Sequence, residues 1–135
     1  MRFVDTNVLL YAVSTAPDER SKHDRALQIL DGDDIALSVQ VLQEFYVQAT
    51  HSKRDDRLTH AQAVTLVESW LRFKVEEPSV HVLRNGLVAC ARWNISYWDA
   101  AIVEAARAAG CSTLLTEDLQ HEMDFDGVRV ENPFR

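Results

Sequence analysis

Four acidic residues stand where a short apolar segment or loop gives way to a helix. Asp5 follows Arg2-Phe3-Val4, Glu44 lies in the helix after Ile35-Ala36-Leu37-Ser38, Asp99 lies just inside the helix that Ser96 opens, and Asp118 follows Thr113-Leu114-Leu115-Thr116. In a parallel α/β sheet such positions fall at the C-terminal ends of strands, where sites are usually built. Carboxylates gathered there can hold a divalent metal for phosphodiester chemistry. Two carboxylates about 5 Å apart repel by roughly 3 kcal/mol at an effective dielectric of about 20. Four together would strain a domain whose whole stability is about 5–15 kcal/mol. They must take up protons or bind a cation. Oxygen-only ligands select Mg²⁺ or Mn²⁺ over Zn²⁺, and His121-Glu122 lacks the second histidine of a zinc-binding helix.

Each carboxylate also has a structural alternative. Asp5 suits a helix N-cap, although Thr6 and Asn7 could cap as well. Glu44, flanked by Val41, Leu42 and Phe45, could be a boundary residue reaching water. Asp99 shares a face with Ile102, Val103 and Ala106, so it points toward the core side. Ser96-Tyr97-Trp98-Asp99 also reads as a capping box with aspartate at the fourth position. Asp118 has Glu117 as a rival, because adjacent side chains point in different directions.

The elements that must position these groups are short. Strands are expected at Phe3-Val4, Ile35–Ser38, Val75, Thr113–Thr116 and Val128–Val130, with a turn at Asp126-Gly127. Helices are expected over Asn7–Val13, over Ser21–Leu30 with Ala26, Leu27 and Leu30 inward, and from Ser38 or Val39 to about His51 with Val41, Leu42, Phe45 and Ala49 inward. A fourth helix runs from its Thr59 cap to about Phe73, burying Ala63, Leu66, Val67 and Trp70. A fifth runs from Pro78 to about Trp93, burying Val82, Leu83, Leu87 and Ala91. A sixth begins at Ser96 and stops at Gly110, and a short helix is possible after Asp118. Strands alternating with helices in this order predict an α/β sandwich with a small, mainly parallel sheet.

The chain of 135 residues fits one domain, residues 1–135, and its 47% apolar and 26% charged content reads as globular. No apolar run is long enough to span a membrane. No secretory signal is visible, and the two cysteines, Cys90 and Cys111, lack metal-type spacing; a cytoplasmic protein with reduced thiols is expected. The net charge of −7 argues against strong nonspecific nucleic-acid binding. A basic rim is nevertheless available from Arg20, Lys22, His23 and Arg25, and from His51, Lys53, Arg54 and Arg57, unless these are solvated loop charges. The acidity could equally meet a basic partner.

Four segments together resemble the PIN-domain ribonucleases. They are Phe3 to Ala12, Leu37 to Tyr46, Trp98 to Ile102 and Leu114 to Leu119, in that order along the whole chain. The likeness is greatest to VapC-type toxins of bacterial toxin–antitoxin pairs. It implies a PIN-like three-layer α/β/α sandwich and Mg²⁺- or Mn²⁺-dependent endoribonuclease activity on an RNA substrate. It also implies a homodimer and inhibition by a VapB-like antitoxin with a basic segment. Asp5, Glu44, Asp99 and Asp118 match the family's acidic quartet, with Asp5, Asp99 and Asp118 as metal ligands and Asn7, Ser38 and Thr116 as supporting polar residues. A non-catalytic PIN-like binding or regulatory module is the competing expectation. A phosphotransferase using Asp5 as nucleophile is disfavoured, because Asn7 stands where a second aspartate belongs.

Overall fold

A computed structural model describes residues 1–135. Six strands form one sheet in the order β3-β2-β1-β4-β6-β5. The strands are β1 (Arg2–Val4), β2 (Ile35–Ser38), β3 (Lys74–Glu76), β4 (Thr113–Leu115), β5 (Asp124–Phe125) and β6 (Val128–Glu131). All neighbours pair in parallel except β5 with β6. The helices are α1 (Thr6–Ala12), α2 (Arg20–Leu30), α3 (Val39–Ala49), α4 (His60–Trp70), α5 (Val80–Trp93) and α6 (Tyr97–Ala108).

The strand order explains where a site belongs. From β1 the chain steps outward to β2 and then β3, and it returns through α5 and α6 to β4 on the other side of β1. Right-handed crossovers in opposite directions place their helices on opposite faces, which gives the three layers. They also leave a crevice beyond the carboxyl ends of β1 and β4, the switch point at which doubly wound sheets hold ligands. Register fixes the two strand ends side by side, Val4 opposite Leu115. Phe3, Val4, Leu37, Leu114 and Leu115 are buried on this sheet, each contributing about 1.5–3 kcal/mol. Such strands covered on both faces read as unbroken apolar runs.

The structure departs from the expected elements in four places. Leu27 is exposed and Ile29 takes its place in the α2 stripe. No helix follows Asp118; residues 117–119 form bends. Strand β5 was not expected. It pairs with β6 through Asp126-Gly127, both at positive φ (53° and 98°), as a tight hairpin corner requires. The largest departure is α5. Leu83, Leu87 and Ala91 face solvent, whereas Gly86 and Ala89 are buried. A Cβ at Gly86 would lie 3.1 Å from Tyr97 Cε1. Helix α5 therefore closes on α6 through its small residues, and its bulky residues turn outward. No helix is long and apolar enough to cross a membrane.

Candidate active site

A cleft of about 310 Å³ opens at the switch point. Asp5, Glu44, Asp99 and Asp118 all line it, as do Asn7 and Glu117. Ser38 lies elsewhere: its hydroxyl caps α3 by accepting from the Val41 N–H at 3.3 Å, and it faces the neighbouring apolar groove.

Asp5 is held most rigidly. Its N–H donates to the Leu115 carbonyl at 3.1 Å, which ties the end of β1 to the end of β4. Its carboxylate caps α1, Oδ1 accepting from the Thr6 N–H at 2.7 Å. Oδ2 accepts from the Thr116 hydroxyl at 2.8 Å. The capping role and the place in the cleft thus coexist. Burial pushes the Asp5 carboxyl up to about 6; the bonds from Thr6 and Thr116 oppose this, and the charges of Asp118 and Glu44 add to it.

Thr116 is the hub. Its Oγ1 accepts from Asn7 Nδ2 at 3.0 Å and from the Asp118 N–H at 3.0 Å. With both lone pairs engaged, its proton is committed to Asp5. Asn7 Nδ2 also donates to Asp118 Oδ2 at 3.2 Å, so the amide orientation follows from its acceptors. Thr116 is fully buried. Thr116→Val keeps the shape but strands two donors and one acceptor; it is expected to destabilise the protein by about 1–3 kcal/mol, read from the urea midpoint.

Glu44 reaches the cleft from α3. Oε2 accepts from the Thr6 hydroxyl at 2.8 Å and Oε1 from Gln40 Nε2 at 3.0 Å, one helical turn back. Ser96 caps α6 by accepting from the Asp99 N–H at 3.1 Å, but the reciprocal half of the capping box is not formed. The Asp99 carboxylate is therefore spared backbone duty. Burial raises its pKa; hydrogen bonding with the Ser96 side chain opposes this, and the charges of Asp118 and Glu44 add to it.

Glu117 and Asp118 separate by partner. Glu117 accepts from the Tyr11 hydroxyl and pairs with Lys22 at 3.1 Å, while Asp118 belongs to the Asn7–Thr116 network. Sequence reasoning did not foresee Tyr11, Thr6, Gln40 or Trp98 here, whereas Arg54 was among the residues expected for a basic rim. Tyr11 lies four residues after Asn7 and Gln40 four before Glu44, so helical spacing from these two site residues was the available signal.

Asp5, Asp99 and Asp118 offer only oxygen, the donor set of Mg²⁺ or Mn²⁺. Asn7 Oδ1 is buried without a hydrogen-bond partner beside them, a lone pair that a cation would satisfy. No three of the carboxylates stand within common ligating reach. In donor chemistry the residues fit a hard cation.

The PIN domain family model matches residues 2–124. A toxin–antitoxin complex from Klebsiella pneumoniae superposes with a TM-score of 0.69 at 20% identity, covering 98% of both chains. The sarcin–ricin-loop-cleaving toxin VapC20 of Mycobacterium tuberculosis gives 0.69 at 19% identity over 87% of this chain and 92% of its own. The DNA-bound VapBC2 complex of Rickettsia felis gives 0.66 at 21% identity over 97% of each. No curated protein matches the sequence. With the family model spanning nearly the whole chain and the acidic cleft lying at the switch point of the sheet, this protein belongs to the PIN domain family.

Proposed function

We propose that the protein is a metal-dependent endoribonuclease, the toxin of a toxin–antitoxin pair. The observation that carries this reading is the meeting of Asp5, Glu44, Asp99 and Asp118, from four separate stretches of chain, in one cleft at the sheet's switch point. Asp5, Asp99 and Asp118 would hold Mg²⁺ or Mn²⁺. A bound cation would supply positive charge to the phosphorane and acidify the attacking water. The chain's own residues do the rest. Thr116 and Asn7 fix Asp5 and Asp118 relative to each other. Thr6 and Gln40 hold Glu44 so that its carboxylate can orient the attacking water.

One solved relative is described as a toxin–antitoxin complex and others as VapBC or FitAB bound to DNA, which supports an antitoxin partner. A net charge of −7 suits a VapB-like antitoxin with a basic segment. A homodimer belongs to the same proposal, and Val80, Leu83 and Leu87, exposed in a row on α5, are the apolar surface available to it.

The test is cleavage of single-stranded and loop RNA. Cleavage is expected with Mg²⁺ or Mn²⁺ and is expected to disappear with a chelator. The open spacing of the carboxylates favours one other reading, a PIN-like module without turnover. Absence of cleavage together with absence of thermal stabilisation by Mn²⁺ would establish that reading instead.

A further inference from the structure

The cleft lacks the usual means of attracting RNA. Asp5, Glu19, Glu44, Asp99, Glu117 and Asp118 line it against a single cation, Arg54, and Arg54 is paired with Asp56 at 2.8 Å. Affinity for nucleic acid normally rests on phosphate neutralisation. Contacts to bases can add to what a bound cation and the flanking basic residues supply.

Trp98 is placed to supply one. It is 64% exposed, although tryptophan is largely buried on average in folded proteins. It precedes Asp99 in the first turn of α6. It lines the acidic cleft on one side and, on the other, an apolar groove of about 460 Å³ shared with Tyr97, Val80 and Leu83. It packs against Tyr97 in a T-shaped pair, with ring centroids 5.2 Å apart and planes at 72°. An exposed indole thus stands at the mouth of the cleft, next in sequence to a carboxylate that lines it.

We infer that Trp98 is a base-stacking platform for an unpaired base flanking the scissile phosphate. This rests on the nuclease reading above. A duplex keeps its bases stacked inside and cannot use such a platform; a loop or single strand can. The indole fixes which nucleotide step lies over the acidic residues, so it sets cleavage position as well as affinity.

The probe is a labelled RNA hairpin with an unpaired loop, cleaved by wild type, Trp98→Ala and Trp98→Phe, with an abasic site placed at each loop position in turn. Trp98→Ala is expected to lower kcat/KM by roughly 5- to 150-fold, the range commanded by one base–aromatic stack. Trp98→Phe is expected to recover most of the loss. One abasic position is expected to impair the wild type and to have no further effect on Trp98→Ala. Unchanged melting temperatures of the variants exclude a folding defect.

An unaltered kcat/KM in Trp98→Ala, or an equal loss at every abasic position, overturns the stacking role while leaving the nuclease reading intact. A fall in sedimentation coefficient of Trp98→Ala also overturns it, by assigning the indole to contact with a second copy. No cleavage by the wild type at any metal concentration overturns the nuclease reading and this inference with it.

Discussion

Asp99→Asn is expected to reduce metal-dependent RNA cleavage by on the order of a hundredfold to a thousandfold, the scale on which one preorganised electrostatic contact acts in catalysis, while leaving the melting temperature nearly unchanged. The separation of the two effects comes from geometry. The helix cap uses the Asp99 N–H and the Ser96 hydroxyl, neither of which the substitution alters. The carboxylate itself carries no backbone bond of the fold. Loss of negative charge from the first turn of α6 costs about 0.3–1 kcal/mol against the helix dipole. Relief of the repulsion from Asp118 and Glu44, which helps raise the Asp99 pKa, opposes that cost. Single-turnover cleavage and a thermal melt on the same preparation read both quantities. Wild-type cleavage by Asp99→Asn would remove this residue from the site and with it the proposed metal centre.

The fold was legible wherever burial is two-sided or a cap is local. Phe3-Val4, Ile35–Ser38 and Thr113–Leu115 are apolar runs because sheet and helices cover both faces. Thr59 and Ser96 announce their helices because the capping bond spans three residues. Helix α5 misled for a physical reason. Periodicity identifies an apolar stripe but not what covers it, and Leu83 and Leu87 outline a stripe as well as any core residue does. The decisive signal was the small pair Gly86 and Ala89, which marks close helix approach and carries almost no hydropathy. Strand β5 is two residues long, too short for alternation to show; only the Asp126-Gly127 corner hinted at a hairpin.

The site was legible in its acids and illegible in their partners. Asp5, Asp99 and Asp118 stand at element boundaries, which sequence marks well. The separate partners of Glu117 and Asp118 were not readable, because they depend on Tyr11 and Lys22, more than ninety positions away in the chain, engaging Glu117. The role of Thr116 likewise exists only once β1 and β4 lie side by side.

The pH dependence of stability is expected to carry the signature of Asp5. In an unfolded chain an aspartate titrates near 3.9, whereas in the fold burial holds Asp5 at about 6. Between these values the folded protein keeps a proton that the unfolded chain has released. Stability therefore falls as pH rises through that window, by on the order of 3 kcal/mol. The full cost is present above about 6 and absent below about 4. Burial shifts Asp99 in the same direction. Urea midpoints in chelator are thus expected to be lower at pH 7.5 than at pH 5 once the contributions of other groups are removed by reference to Asp5→Asn, whose slope should be flatter. Mn²⁺ should narrow this gap, because it needs the ionised carboxylates and competes with protons for them. At a hundred times its dissociation constant it would add about 2.7 kcal/mol at pH 7.5 and far less at pH 5. Equal stabilisation by Mn²⁺ at both pH values would place its binding away from Asp5. A wild-type slope no steeper than that of Asp5→Asn would mean that the buried carboxyl is not strained at all, and the electrostatic case for a cation at the switch point would fail.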